Sequence, residues 1–253
     1  MYEGFANVYD HVMNNISYEE WFGRLKSYLE DHGIKEGTIC ELGCGTGIMT
    51  EMFAKAGYQM IGVDRSGDML ALAKNKMTES GSDILYLQQP MEKLELAGPV
   101  EAVISVCDSI NYLLQEEDMI STFSRVKKYL KPGGYFIFDL KTAYCYQNII
   151  GNQTWVEQDD EVSYIWENYF YEDQNINEYT LTIFKKQQEG ELYEKIEEAH
   201  YQKAYSIERL RSLLEKSGLE MVECFDENMQ TEQTANSERI YVVAKVQEGS
   251  YEE

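Results

Sequence analysis

The chain has 253 residues, enough for one large α/β domain with an insertion and enough to bury a core without disulfides or metals. It carries 22 Lys and Arg against 45 Asp and Glu, a formal net charge of −23 that repels phosphate backbones and anionic lipid surfaces and argues against nucleic acid as a partner. The five cysteines, at 40, 44, 107, 145 and 224, form no C-x-x-C pair and no interleaved Cys/His spacing, so neither a disulfide framework nor a zinc site is expected.

Residues 1–15, MYEGFANVYDHVMNN, lack a basic stretch followed by an apolar core, and no apolar run is long enough for a bilayer, so a soluble cytoplasmic protein is expected. Behind this aromatic arm, 17-SYEEWFGRLKSYLEDHG-33 reads as a helix. Ser17 and Glu20 suggest a capping box, Trp21, Phe22, Leu25, Tyr28 and Leu29 share one face, and Gly33 closes it. Strand and helix patterns then alternate: strand 38–42, helix 47–55, strand 60–64, a helix opened by Ser66 and running to 77, and strand 84–89. They continue with strand 102–106, helix 116–130, a turn at 131-KPGG-134 and strand 135–139. Strands separated by helical patterns predict a parallel sheet with helices on both faces.

After Lys141 the helical period fades. Residues 154–204 become aromatic and β-prone, with strands expected at 162–171, 178–186 and 191–202, an antiparallel meander inserted into the α/β domain. Helix 206–218, opened by Ser206 and closed by Gly218, and strands 219–225 and 239–246 resume the first pattern.

The stretch 40-CELGCGTGIM-49 follows the first strand and opens the next helix, at the carboxyl ends of the strands where open α/β sheets bind ligands. A dinucleotide fingerprint needs glycine at 48, which is Ile48, and the Gly-Lys-Ser/Thr of a P-loop is absent. Gly43, Gly45 and Gly47 instead sit at alternate positions behind Glu41, an acid suited to a cation such as an α-amino group. Asp64, 21 residues after Gly43, ends the second strand, where a carboxylate can take both hydroxyls of a ribose. An amino acid joined to a nucleoside without phosphates is S-adenosylmethionine.

On these residues the chain resembles the class I S-adenosylmethionine-dependent methyltransferases over roughly 36–140 and 204–246. It looks closest to small bacterial members that begin with a motif like 5-FANVYD-10, where the similarity extends over almost the whole chain. The resemblance implies an α/β fold, a Rossmann-like seven-stranded sheet with helices on both faces, plus an inserted antiparallel β cap. The organisation expected is an N-terminal arm and lid helix over 1–35, the cofactor-binding core over 36–140, the inserted β subdomain over 141–205, completion of the core over 206–247 and a tail over 248–253. It also implies that the loop from Glu41 to Gly47, Cys44 included, wraps the methionine part of the cofactor. Asp64 would bind the ribose with Arg65 and Met69 beside it, and Met91 would pack on the adenine. Where relatives commonly have an acid for the adenine amino group, this chain has Pro90, leaving Gln89 or a backbone carbonyl for that contact. The arm would fold over the cofactor, with Tyr9 bonding its carboxylate or pointing at the substrate, while Phe5, Asp10 and His11 belong to the same arm.

The segment 106-VCDSINYL-113 would line the floor beneath the methyl group, with Cys107 as wall and Asp108, Asn111 and Tyr112 facing the acceptor. The insertion is expected to choose the acceptor; its alternating aromatics, Trp166 among them, build an inner face, a pocket closure or a homodimer surface. His200, its one side chain that titrates near neutrality, joins Asp108 and Tyr9 as a candidate catalytic residue. The function expected is methyl transfer to a small molecule. Alternatives are a methyltransferase for tRNA or another macromolecule, a non-catalytic S-adenosylmethionine-binding protein, and, disfavoured by Ile48, an NAD-dependent oxidoreductase.

Overall fold

A computed structural model describes residues 17–158, 160–187 and 192–246, so the expectations for Phe5, Tyr9, Asp10 and His11 lie outside the described residues. The helices are α1 (Tyr18–Asp31), α2 (Ile48–Lys55), α3 (Gly67–Ser80), α4 (Glu116–Tyr129) and α5 (Ile207–Lys216). The strands of the first half are β1 (Thr38–Leu42), β2 (Gln59–Asp64), β3 (Ile84–Gln88), β4 (Val100–Ser105) and β5 (Leu130–Lys141). Those of the second half are β6 (Thr154–Gln158), β7 (Val162–Tyr171), β8 (Ile176–Lys186), β9 (Tyr193–Lys203), β10 (Leu219–Phe225) and β11 (Arg239–Val246).

Seven strands form one sheet in the order β10-β11-β5-β4-β1-β2-β3. β1 to β5 run parallel because each returns through a crossover, whereas β11 lies antiparallel between β5 and β10. The period-2 alternation of β5 feeds both faces. Phe136 and Phe138 pack with Phe123 of α4 and with Leu210, Leu213 and Leu214 of α5. Tyr135 and Ile137 join Leu25 and Leu29 of α1 and Phe53 of α2 on the opposite side.

Two local expectations change. Ser17 caps α1 through its backbone carbonyl, which accepts from Glu20 and Trp21 at 3.1 and 3.2 Å, and its side chain makes no cap bond. The Lys-Pro-Gly-Gly segment is not a turn before β5 but a bulge within it. Val100 pairs with Leu130 and Ala102 with Tyr135, so four residues loop out, with Gly133 at φ +78°.

The insertion forms a separate antiparallel sheet, β6-β7-β8-β9, with one strand more than the three expected because β6 folds back on β7. Its inner face buries Val162, Leu181, Ile183 and Ile196 against Met69 of α3, which seats the sheet over the carboxyl ends of β1 and β2. No helix among the described residues is long and apolar enough to cross a membrane.

Candidate active site

The glycine loop is tied to the end of β2. The amides of Gly43 and Cys44 donate to the Val63 carbonyl at 2.8 and 3.1 Å, and the amide of Gly45 donates to Asp64 Oδ2 at 2.8 Å. Asp64 Oδ1 accepts from the Ser66 amide at 2.8 Å, so one nearly buried carboxylate fastens the loop and the start of α3 together. The three glycines have φ of +70°, +53° and +78°, which side chains avoid, but only two of them face the cavity. A Cβ on Gly45 would project into open space at the cavity wall. One on Gly47 would meet Tyr86 Oη at 2.4 Å and Ala73 Cβ at 3.1 Å. Gly47, expected at the cofactor, is therefore a packing glycine that lets α2 lie against β3 and α3.

Glu41 ends β1 in the same cavity, 2 % exposed, its carboxylate accepting from the Thr50 hydroxyl. Burial pushes its pKa up to about 8. Cys44, Arg65, Met69 and Met91 line the cavity around it. Gln89 also reaches the wall, but its amide is committed: Oε1 accepts from the Glu95 amide at 2.8 Å and Nε2 donates to the Glu95 carbonyl at 3.2 Å. Glu92, two residues beyond Pro90, lines this end of the cavity and carries no signal in the sequence.

At the opposite end the floor departs from expectation. Cys107 and Asp108 both adopt left-handed backbone, at φ +63° and +52°. The strained pair is held by Asp108 itself, whose Oδ1 accepts from Arg239 Nη2 at 2.8 Å and whose Oδ2 accepts from Gln202 Nε2 at 2.6 Å and Lys141 Nζ at 3.2 Å. Its amide donates to Asp139 Oδ1 at 2.9 Å, and Arg239 also pairs with Asp139. Burial alone would raise the Asp108 pKa, but Lys141 and Arg239 outweigh it and hold the carboxyl well below the usual range. The expectation of Asp108 as a catalytic residue facing the acceptor is corrected: it touches the cavity, but its carboxylate is tied up by Lys141, Gln202 and Arg239. Cys107 is wall, its thiol pushed up to about 12 by burial.

Asn111 does not face an acceptor either. It is fully buried, its Nδ2 donating to the carbonyls of Lys141 and Lys203 at 3.1 and 2.9 Å while its Oδ1 accepts from the Lys141 amide at 3.0 Å. Tyr112 and Trp166 do line the cavity, joined by Tyr179 and Leu181 from β8 and Tyr18 from α1. His200 is 0 % exposed and sits behind that wall. Its Nδ1 lies 3.1 Å from Tyr112 Oη, its ring stacks on Tyr179 at 4.7 Å, and burial lowers its pKa to about 4, so it reaches the cavity through Tyr112 rather than directly.

Tyr18, Lys141, Tyr179, Gln202 and Arg239 were missed by sequence reasoning. Tyr179 carried a signal, the alternation of aromatics along β8. Arg239 and Gln202 carried none, because their partner is 131 and 94 residues away.

The chain matches the methyltransferase-domain family over residues 39–134. Over 246 residues it is 32 % identical to the methyltransferase-family protein YqeM of Bacillus subtilis (strain 168), covering 97 % of both chains. It is 35 % identical to the methyltransferase-family protein GWCH70_2453 of Geobacillus sp. (strain WCH70), covering 96 % of this chain and 99 % of that one. The chain belongs to the class I S-adenosylmethionine-dependent methyltransferases. A crystal structure of an S-adenosylmethionine-dependent methyltransferase from Clostridium acetobutylicum ATCC 824 superposes with a TM-score of 0.87 at 28 % identity, over 97 % of this chain and 98 % of that one. The cofactor of this methyltransferase is S-adenosylmethionine. Its residues fit that group: the open face at Gly45 is a cradle that a side chain would fill, and buried Glu41 and Asp64 suit an ammonium and a pair of hydroxyls. The bound cofactor supplies a methyl group on a positively charged sulfur. Among the described residues no cluster of His, Cys, Asp or Glu has the arrangement of a metal site.

Proposed function

We propose that this methyltransferase acts on a small molecule enclosed between the glycine loop and the inserted sheet. One observation carries the reading: Trp166, Tyr179 and Leu181 of the insertion line the same cavity as Glu41, Gly45 and Asp64, so cofactor and acceptor space form one walled volume. In this reading Glu41 takes the α-amino group, Asp64 the ribose hydroxyls, and Met69 and Met91 the apolar flanks, with Arg65 at the rim. Cys107 and Tyr112 bound the space beneath the methyl group, and Trp166 with Tyr179 closes it from above. Methyl transfer is a displacement that needs alignment in a dry pocket, which an aromatic cover provides. The net charge of −23 works against a polyanionic acceptor.

The test is incubation of the protein with methyl-labelled S-adenosylmethionine and, separately, the low-molecular-weight, RNA and protein fractions of a bacterial lysate. Label in the low-molecular-weight fraction is expected; label confined to RNA or protein would replace this reading with a macromolecular one.

A further inference from the structure

The wall of the acceptor space contains a chain of polar atoms that the fold has buried at some cost. Tyr179 Oη lies 2.7 Å from Tyr112 Oη, which lies 3.1 Å from His200 Nδ1. Both tyrosines line the cavity, and the imidazole behind them is fully buried with the Tyr179 ring stacked on it at an interplanar angle of 12°. The rings therefore hold one another in place: the stack fixes the imidazole plane, and the imidazole fixes the direction of the Tyr112 hydroxyl. From these contacts, and resting on the small-molecule reading above, we propose that the acceptor group is a hydroxyl and that Tyr179, Tyr112 and His200 relay its proton away.

The step balances within the site. The acceptor oxygen forms its bond to the methyl carbon as the carbon–sulfur bond breaks and its electron pair goes to sulfur. The hydroxyl proton passes to Tyr179 Oη, the Tyr179 proton to Tyr112 Oη, and the Tyr112 proton to His200 Nδ1. One positive charge leaves sulfur and one appears on the imidazole, so the buried region ends with the charge it began with; once the product leaves, the proton goes back through Tyr112 and Tyr179 to water in the emptied cavity.

The chemistry of the nearby groups favours a hydroxyl over an amine. Among the described residues at this end, Asp108 is spent on Lys141, Gln202 and Arg239, and the Cys107 thiol keeps its proton, so neither serves as a base. A buried imidazole with a pKa near 4 is a weak base. It can take a proton only from a group that turns strongly acidic as the new bond forms. A methylated oxygen still carrying its proton is such an acid, whereas a methylated amine is not and keeps its proton without help.

Two measurements test the relay, one of them independent of turnover. In protein labelled with ¹⁵N at histidine, Nδ1 of His200 is expected to be the unprotonated ring nitrogen at neutral pH, with its resonance moved by Tyr112→Phe; a protonated Nδ1 would overturn the relay. In the second, the low-molecular-weight fraction of a bacterial lysate is methylated with S-adenosylmethionine ¹³C-labelled in its methyl group, and the methyl shift is read by NMR. Methyl on oxygen is expected. Methyl on nitrogen or carbon overturns the hydroxyl assignment and leaves the small-molecule reading intact, while absence of label from this fraction overturns both. With the labelled acceptor in hand, Tyr112→Phe and Tyr179→Phe should each lower kcat about a hundredfold with KM nearly unchanged and abolish any solvent deuterium isotope effect on kcat. Retained binding of S-adenosylhomocysteine shows that the variants are folded; wild-type kcat in both would sink the relay.

Discussion

Asp108 and Arg239 stand 131 residues apart in the sequence and 2.8 Å apart in the structure, one three residues past the end of β4 and the other opening β11. Arg239 also pairs with Asp139 and lies over the Trp21 ring at 5.0 Å, so a single guanidinium ties the last strand to the floor of the active site and to the first helix. Removing one partner of such a buried arrangement leaves uncompensated charge. Arg239→Met should therefore destabilise the protein by about 3–5 kcal/mol, measured by urea denaturation followed by circular dichroism. A loss below about 1 kcal/mol would place the pair in the weak class of exposed ion pairs.

Asp64 has two duties, holding the amides of Gly45 and Ser66 and offering its remaining lone pairs to the cavity. Asp64→Ala should weaken binding of S-adenosylhomocysteine by about 1–3 kcal/mol in isothermal titration. Unchanged affinity would remove Asp64 from the cofactor site.

The glycines separate packing from binding. Gly47→Ala drives a methyl into Tyr86 Oη, so stability should fall, and Tyr86→Phe in the same chain should recover part of the loss by clearing that oxygen. Gly45→Ala meets no protein atom within 4 Å, so it should cost only about 1–2 kcal/mol for its left-handed backbone while reducing cofactor affinity more than tenfold. Equal effects of the two variants on affinity would contradict the assignment of Gly47 to packing.

Glu41 gives a pH dependence of unusual sign. Its folded pKa, raised to about 8 by burial, lies above its unfolded value of 4.5, so between those limits the native state holds a proton that the unfolded chain has lost. The stabilisation from that bound proton is fully present below pH 4.5 and declines as pH rises towards 8. Glu41→Gln, which keeps an acceptor for the Thr50 hydroxyl, should flatten the fall in Tm across this window relative to wild type; parallel curves would show that Glu41 is ionised throughout.

The parts legible in the sequence are those built from neighbours along the chain. Gly43, Gly45, Glu41 and Asp64 sit at the ends of adjacent parallel strands, so spacing alone brings them together, and the helical and strand periods suffice to order the sheet around them. Gly47 was misread because its function depends on Tyr86, a residue of β3 that no local pattern associates with it. Asp108 and Asn111 were misread for the same reason. A polar side chain at the end of β4 looks available until Lys141, Gln202, Lys203 and Arg239 arrive from later elements to occupy it. His200 stands out in the sequence as a lone titratable group, but its burial and its contact with Tyr112 are tertiary facts.

Asn111 grips the backbone of Lys141, where the chain leaves the large sheet, and of Lys203, where it comes back. The whole cap thus stands with both feet on one post. The strand that leaves the large sheet and the strand that comes back are thereby held by one side chain. A different sheet spliced between positions 141 and 203 would meet the same anchor, a single amide already in place before the chain makes its excursion.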